Sequence, residues 1–239
     1  MTRIDLDKNL FRAALGWNYE AWGSCLRKAN FLFERDYESI LEIGASQHSI
    51  TALVFDGLSP VITIGYYSEN DRGLIIAYFR SVTRDLTLKS DYHFKKIDIF
   101  DESNEEYDLV ICKSVLGGVF RAGDRDLTFV NSEIRRIVNR FVTEKGYFVS
   151  LDNGKSCFDY IWNKVGARKN NWRLFKINDL TFSHSKFSFG VLSAFSLETR
   201  LGKFGTFIDN RIFYPIDVVL YKFIRKFPTI IVSIFVNEK

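Results

Sequence analysis

The sequence predicts an α/β fold: a mostly parallel sheet with helices on both faces. Three observations carry that expectation. Short, near-continuous apolar runs recur along the chain, as expected of strands buried on both faces. Segments with a helical period lie between several of those runs, and the first run ends in a glycine-led turn. At 239 residues the chain suits one domain with a peripheral helical layer better than two independent domains.

Taken in order, the apolar residues Leu6, Leu10, Phe11, Ala14, Trp17, Ala21, Trp22, Cys25, Leu26 and Ala29 recur at three-and-four spacing. They predict a helix or a broken pair of helices. The period then changes, and Ser39 to Gly44 reads as a buried strand. Val61 to Ile64, Phe94 to Ile99, Leu109 to Cys112, Tyr147 to Leu151, Phe187 to Phe195 and Thr229 to Val236 are the further strand candidates. A helix is expected from Asp126 to Val142, with Leu127, Val130, Ile134, Ile137, Val138 and Phe141 on its apolar face, Arg135, Arg136 and Arg140 on its solvated side and Gly146 as its stop. Ser156 and Asp159 resemble a capping box before Phe158, Ile161, Trp162 and Val165. A last helix is expected from Pro215 to Phe227, with Asp217 in its first turn and Lys222, Arg225 and Lys226 in its last. Its apolar positions Ile216, Val219, Leu220, Phe223 and Phe227 are expected to pack on the sheet.

Composition narrows the function classes. Lys and Arg number 33 against 29 Asp and Glu, a dispersed net charge of +4 that does not call for nucleic acid. The three cysteines, Cys25, Cys112 and Cys157, have no metal-ligand spacing and no disulfide pattern, which suits a reducing cytoplasm. No secretory signal is read at the N-terminus, and no run reaches the roughly 18 to 20 apolar residues of a membrane span. The protein is therefore expected to be cytoplasmic, or peripheral at the inner membrane. Aromatic residues make up 16% of the chain and predict a core packed with rings.

In a parallel α/β sheet, ligands bind beyond the carboxyl ends of the strands. The first strand ends Glu42-Ile43-Gly44-Ala45-Ser46-Gln47-His48-Ser49, a carboxylate followed by small residues that let backbone approach a ligand. Acids close the third strand at Asp98 and Asp101, Lys113-Ser114-Val115-Leu116-Gly117-Gly118 follows the fourth, and Asp152-Asn153 the fifth. This ordering resembles the class I S-adenosylmethionine-dependent methyltransferases over roughly residues 36 to 160. Within them, the LEIGA and KSVLGG stretches, the Asp-Asn pair and Asn171-Trp172-Arg173 resemble enzymes of bacterial surface-polysaccharide gene clusters.

The resemblance implies a Rossmann-like seven-stranded sheet in a single domain over 1–239. Residues 1–35 would form an N-terminal helical lid, 36–166 the cofactor core, 167–212 a substrate-facing insertion and 213–239 a C-terminal helix and strand. It implies S-adenosylmethionine (SAM) as cofactor and a sugar or lipid-linked glycan as acceptor. Glu42, Gly44, Ala45 and Ser46 match the first-strand turn at the amino-acid end of the cofactor. Tyr66 stands at the second-strand end, Asp98 and Ile99 near the adenine, and Lys113 and Ser114 beneath the methionine. Asp152 and Asn153 match a substrate-side pair, with Tyr19 and Trp22 placed to stack on a ligand from the lid. His184 is the histidine best placed in the sequence to serve as a general base.

Two departures stand out. Ser46 and His48 replace further glycines of the turn, and Gly65 or Tyr66 occupies the place of the acid that holds the ribose hydroxyls. Restoring it as Gly65→Asp is expected to strengthen cofactor binding, and Glu69 or Asp71 in the next loop offers a substitute. A rival class is a methyltransferase-fold protein without SAM, acting as a binding partner or using the pocket for another reaction. The motifs of nucleic-acid methylation are absent after the fourth strand. The basic residues of the last helix are expected to allow contact with anionic headgroups.

Overall fold

A computed structural model describes residues 8–16, 18–100, 105–121, 123, 126–156, 172–192, 198–226 and 228–239. Seven strands form one sheet: β1 (Ser39–Ile43), β2 (Val61–Tyr66), β3 (Asp91–Lys96), β4 (Tyr107–Lys113), β5 (Val142–Asn153), β6 (Ser185–Phe189) and β7 (Ile230–Val236). Their order is β3-β2-β1-β4-β5-β7-β6. The strands from β3 to β5 are parallel, and β7 runs antiparallel between β5 and β6. The expected mostly parallel sheet is therefore present, and β1 and β2 are buried along nearly their whole length.

The expected N-terminal helix is a pair, α1 (Lys8–Leu15) and α2 (Tyr19–Lys28), broken where Gly16 and Asn18 take positive φ of 65° and 55°. Both are core elements: Ala14, Leu15, Ala21, Trp22 and Leu26 have no exposed surface. The remaining helices are α3 (Glu69–Thr83), the short α4 (Leu116–Val119), α5 (Leu127–Phe141), α6 (Glu198–Ile208) and α7 (Tyr214–Leu220). Helix α5 lies within the expected span, one residue shorter at each end, with the Asp126 carboxylate accepting from the Phe129 N–H at 2.7 Å as its N-cap. It passes directly into β5 at Val142, so Gly146 lies inside a strand. There the backbone turns at Lys145 (φ 61°), and a Cβ at Gly146 would stand 2.9 Å from the Asp108 carbonyl oxygen.

Other expectations need correction. β3 ends at Lys96, and β6 occupies only 185–189, so part of 167–212 belongs to the sheet itself. The helix expected from the capping box at Ser156 and Asp159 lies outside the described residues. The last helix ends at Leu220, and its apolar side faces outward: Ile216, Val219 and Phe223 are exposed, Phe223 by 80%. Its inward stripe is Tyr214, Asp217 and Tyr221, whose spacing of three and four residues puts them on one helical side. Asp217 is fully buried and accepts from the Val191 and Leu192 N–H groups at 2.9 and 2.7 Å, and both tyrosine rings pack on Phe189. Among the described residues no helix is long and apolar enough to cross a membrane.

Candidate cofactor site

The sheet order reverses between β1 and β4, since the chain leaves β1 toward β2 and β3 on one side and later fills β4 and β5 on the other. Such a switch point opens a crevice beyond the strand ends. Gly44-Ala45 and Lys113-Ser114 border it, and Tyr66 and Asp98 follow from the neighbouring strands β2 and β3. The sequence-predicted cofactor residues are thus brought together, with separate roles.

Glu42 is buried and committed to its own chain. Its two carboxylate oxygens accept from the Thr51 and Ala52 N–H groups at 2.9 and 2.8 Å. These N–H groups open a 3-10 turn (Thr51–Phe55) directly after the glycine turn. Burial pushes the Glu42 pKa up to about 7, against those two hydrogen bonds and the nearby Lys113 charge. Gly44 takes φ 74°, and a Cβ there would stand 2.5 Å from Cγ2 of Val115. The turn closes on itself through paired Ser46 and Ser49 backbone, and the Ala45 N–H donates to the Gly65 carbonyl.

Gly65 has no room for the side chain that would restore a ribose clamp. A Cβ there would stand 2.6 Å from the Glu42 carbonyl oxygen and 3.0 Å from Ile97. An acid does stand one turn later: Glu69, at the start of α3, is exposed, accepts from the Tyr66 hydroxyl at 3.2 Å and lies 3.9 Å from the Arg72 guanidinium. Asp71 is occupied by Ser68, the N-cap of the same helix, whose hydroxyl donates to it at 2.6 Å. Asp98 lies in the turn after β3 with Oδ1 accepting from the Phe100 N–H at 2.9 Å, while Ile97 and Ile99 on either side are buried.

Beyond β4, Lys113 Nζ stands 3.5 Å from Ser49 Oγ and 5.2 Å from the centroid of the Trp22 ring. Trp22 is fully buried, so it covers Lys113 from within the core and presents no stacking face to a ligand. Tyr19, at the start of α2, is half-buried and packs against the same core. Ser114 adopts φ 58° and receives the Asn153 side-chain amide at 3.4 Å. Asp152 is buried and receives the Ser150 hydroxyl, and burial pushes its pKa up to about 6. Gly117 and Gly118 lie in α4. Two motifs distant in sequence meet there: Arg173 N–H donates to the Gly117 carbonyl at 2.8 Å, and a Cβ on Gly118 would stand 3.2 Å from the Trp172 ring.

His184 does not join the site. It is exposed and precedes β6, the outer edge strand, whose first residue is level with Val149 through β7. That puts it three strand spacings from β4, about 14 Å, and well below the strand ends. The expectation of a general base at this position is corrected by the topology. Glu69 was visible only as a nearby acid, because nothing in the sequence shows Tyr66 reaching one turn into α3.

Solved structures with this architecture match at low identity. The cyclopropane synthase MmaA2 from Mycobacterium tuberculosis gives a TM-score of 0.54 at 11% identity, covering 98% of this chain and 94% of that one. The N-methyltransferase NodS from Bradyrhizobium japonicum gives 0.51 at 15% identity, covering 98% and 100%. A SAM-dependent methyltransferase from Methanosarcina mazei gives 0.52 at 14% identity, covering 85% and 93%. No family model matches the sequence, and no curated protein matches it. The fold is the Rossmann-like methyltransferase fold.

Proposed function

We propose that the protein is a SAM-dependent methyltransferase whose acceptor is a hydroxyl of a sugar or glycan intermediate of surface-polysaccharide synthesis. The observation that supports SAM is the Glu69 carboxylate, exposed at the switch-point end of β2 and oriented by Tyr66. It offers two acceptor oxygens where a ribose diol would lie, so the acid missing at 65 and 66 is supplied from α3. Asp98 serves the adenine side, and the Lys113 ammonium suits the carboxylate of an amino acid. Bound there, the cofactor supplies an electrophilic methyl group on a sulfonium. The half-exposed Asn153 is the polar side chain left for the acceptor. The glycan acceptor rests on the sequence resemblance alone.

One observation favours the rival reading, a methyltransferase fold kept for binding without SAM. Val115 fills the space above Gly44, and Glu42 is satisfied by its own backbone. Titration calorimetry with SAM and S-adenosylhomocysteine separates the two. The parent is expected to bind both, and Glu69→Gln to bind about tenfold to a hundredfold more weakly, since a charge-assisted hydrogen bond contributes about 1.5–3 kcal/mol. Its melting temperature should not change, because Glu69 is exposed. A parent that binds neither compound overturns the SAM reading in favour of the rival. Transfer of labelled methyl to a panel of sugar nucleotides and glycans then tests the acceptor class.

A further inference from the structure

Five cations scattered along the sequence meet around one cavity of about 600 Å³ between α2, β6 and α7. Arg27 and Lys28 come from the last turn of α2, Lys186 from β6, and Lys222 and Arg225 from the chain just after α7. The cavity lies at the outer edge of the sheet, away from the β1–β4 crevice, and no carboxylate is among its lining side chains. Glu20 lies 3.8 Å from Arg27. Among the described residues, no carboxylate forms an ion pair with Lys28, Lys186, Lys222 or Arg225. Burial lowers the Lys186 pKa, with only Asp179 acting against it, as expected of an ammonium short of counter-charge.

The neutral groups of the cavity suit the same ligand. Ser24 Oγ lies 2.9 Å from the Tyr214 hydroxyl, and Ser188 Oγ bonds the Tyr221 hydroxyl. Each pair uses one proton internally and leaves a second O–H to donate. Several cations with hydroxyl donors and no acid select an anion with several oxygens, the chemistry of a phosphate ester.

Beside the cavity, α7 turns its apolar side to solvent. Val219 is 55% and Phe223 80% exposed, and Ile216 and Ile224 accompany them. Lys222 and Arg225 alternate with these residues over the same turn. Cations of one sign interleaved with exposed rings and aliphatics match the needs of an anionic lipid, whose headgroup and acyl chains require both.

We propose that this edge of the molecule docks on an anionic membrane, with a lipid phosphate held in the cavity and Val219 and Phe223 entering the acyl boundary. It is independent of SAM, and its test reads no methyl transfer. The test is co-sedimentation with vesicles of phosphatidylcholine alone and of phosphatidylcholine with phosphatidylglycerol, at low and high salt. The parent should sediment with the anionic vesicles at low salt and not with the neutral ones. Lys186→Gln, Lys222→Gln and Arg225→Gln together should weaken binding about a hundredfold, roughly fivefold per cation, and Val219→Ser with Phe223→Ser about tenfold. If the triple variant melts early, the exposed Lys222→Gln alone replaces it, with a fivefold loss expected. Absence of the parent from anionic vesicles at low salt overturns the proposal, as does binding insensitive to the charge substitutions. Displacement by glycerol 3-phosphate, with the serine variant binding like the parent, overturns it too by making the cavity a site for a free phosphate ester.

Discussion

At the β1–β4 end of the sheet the buried charges answer to their own chain, whereas at the β6–α7 edge the charges face a cavity. Glu42 is closed off by two backbone N–H groups, and the buried Asp152 receives the Ser150 hydroxyl of its own strand. Lys186, Lys222 and Arg225 form no ion pair with a carboxylate among the described residues. The difference separates two uses of a charged residue. A carboxylate saturated by main-chain donors fixes the shape of a turn, and a cation left facing open space waits on something from outside. By that criterion Glu69, exposed and met only by the Tyr66 hydroxyl and the neighbouring Arg72 guanidinium at 3.9 Å, is the acid of the first region that we propose faces a ligand, whereas Glu42 fixes the turn.

The sharpest way to break this comparison is to disturb the scaffold. Gly44→Val meets both a positive φ and Val115 at 2.5 Å, and Gly65→Asp meets the Glu42 carbonyl oxygen at 2.6 Å. Each should cost about 3 kcal/mol or more through strain and overpacking, read as a lowered urea midpoint. Near-parental stability in either would mean that the crevice is looser than its backbone contacts show. Neither substitution reports on cofactor affinity, because both act on the fold first.

A second effect, of comparable size, follows from the buried acids. Glu42 and Asp152 hold protons up to about pH 7 and 6 in the folded protein and release them near their ordinary values when unfolded. Between about pH 4 and 7 the native state therefore binds more protons than the unfolded one, and stability falls as pH rises through that window. Together the two groups put the change on the order of several kcal/mol. Glu42→Gln with Asp152→Asn should flatten the profile from pH 4 to 7 in denaturant titrations. A parental slope kept in the double variant would mean that neither carboxyl is protonated in the native state.

The sheet was legible because burial on both faces leaves nearly unbroken apolar runs, and α5 because its apolar residues keep one helical period from Leu127 to Phe141. The site was legible as a set of strand ends. The direction of α7 was not: Asp217, placed by its sequence at a helix start where acids are usual, is instead the group that faces inward and turns Ile216, Val219 and Phe223 out. The cation cavity was hidden for a simpler reason. Lys28 and Lys186 are far apart in the sequence, and a dispersed net charge of +4 does not reveal that the fold concentrates it.

Asp217 also holds the basic edge together. It does not face the cations across the cavity; it ties α7 to the chain after β6 through Val191 and Leu192. Asp217→Asn keeps the size but weakens a charge-assisted acceptor of two N–H groups, so a loss of about 2 kcal/mol is expected. Hydrogen exchange at Val191 and Leu192 should accelerate while the amides of β1 and β4 stay protected. Uniform acceleration across the sheet would instead tie both regions into one cooperative unit.

The smallest effect belongs to His184, and it tests the topology from the other direction. An exposed side chain ahead of the edge strand, about 14 Å to the side of β4 and below the strand ends, touches neither the crevice nor the lining of the cavity. His184→Ala should therefore shift stability by less than about 0.5 kcal/mol and leave SAM affinity, methyl transfer and vesicle binding at parental values. A loss of transfer with unchanged SAM affinity would return this histidine to the acceptor side. Because β6 is fixed to β7 over five paired residues, that outcome would require the edge strand to leave the sheet during turnover, and exchange at Phe187 and Phe189 would then rise in the presence of acceptor.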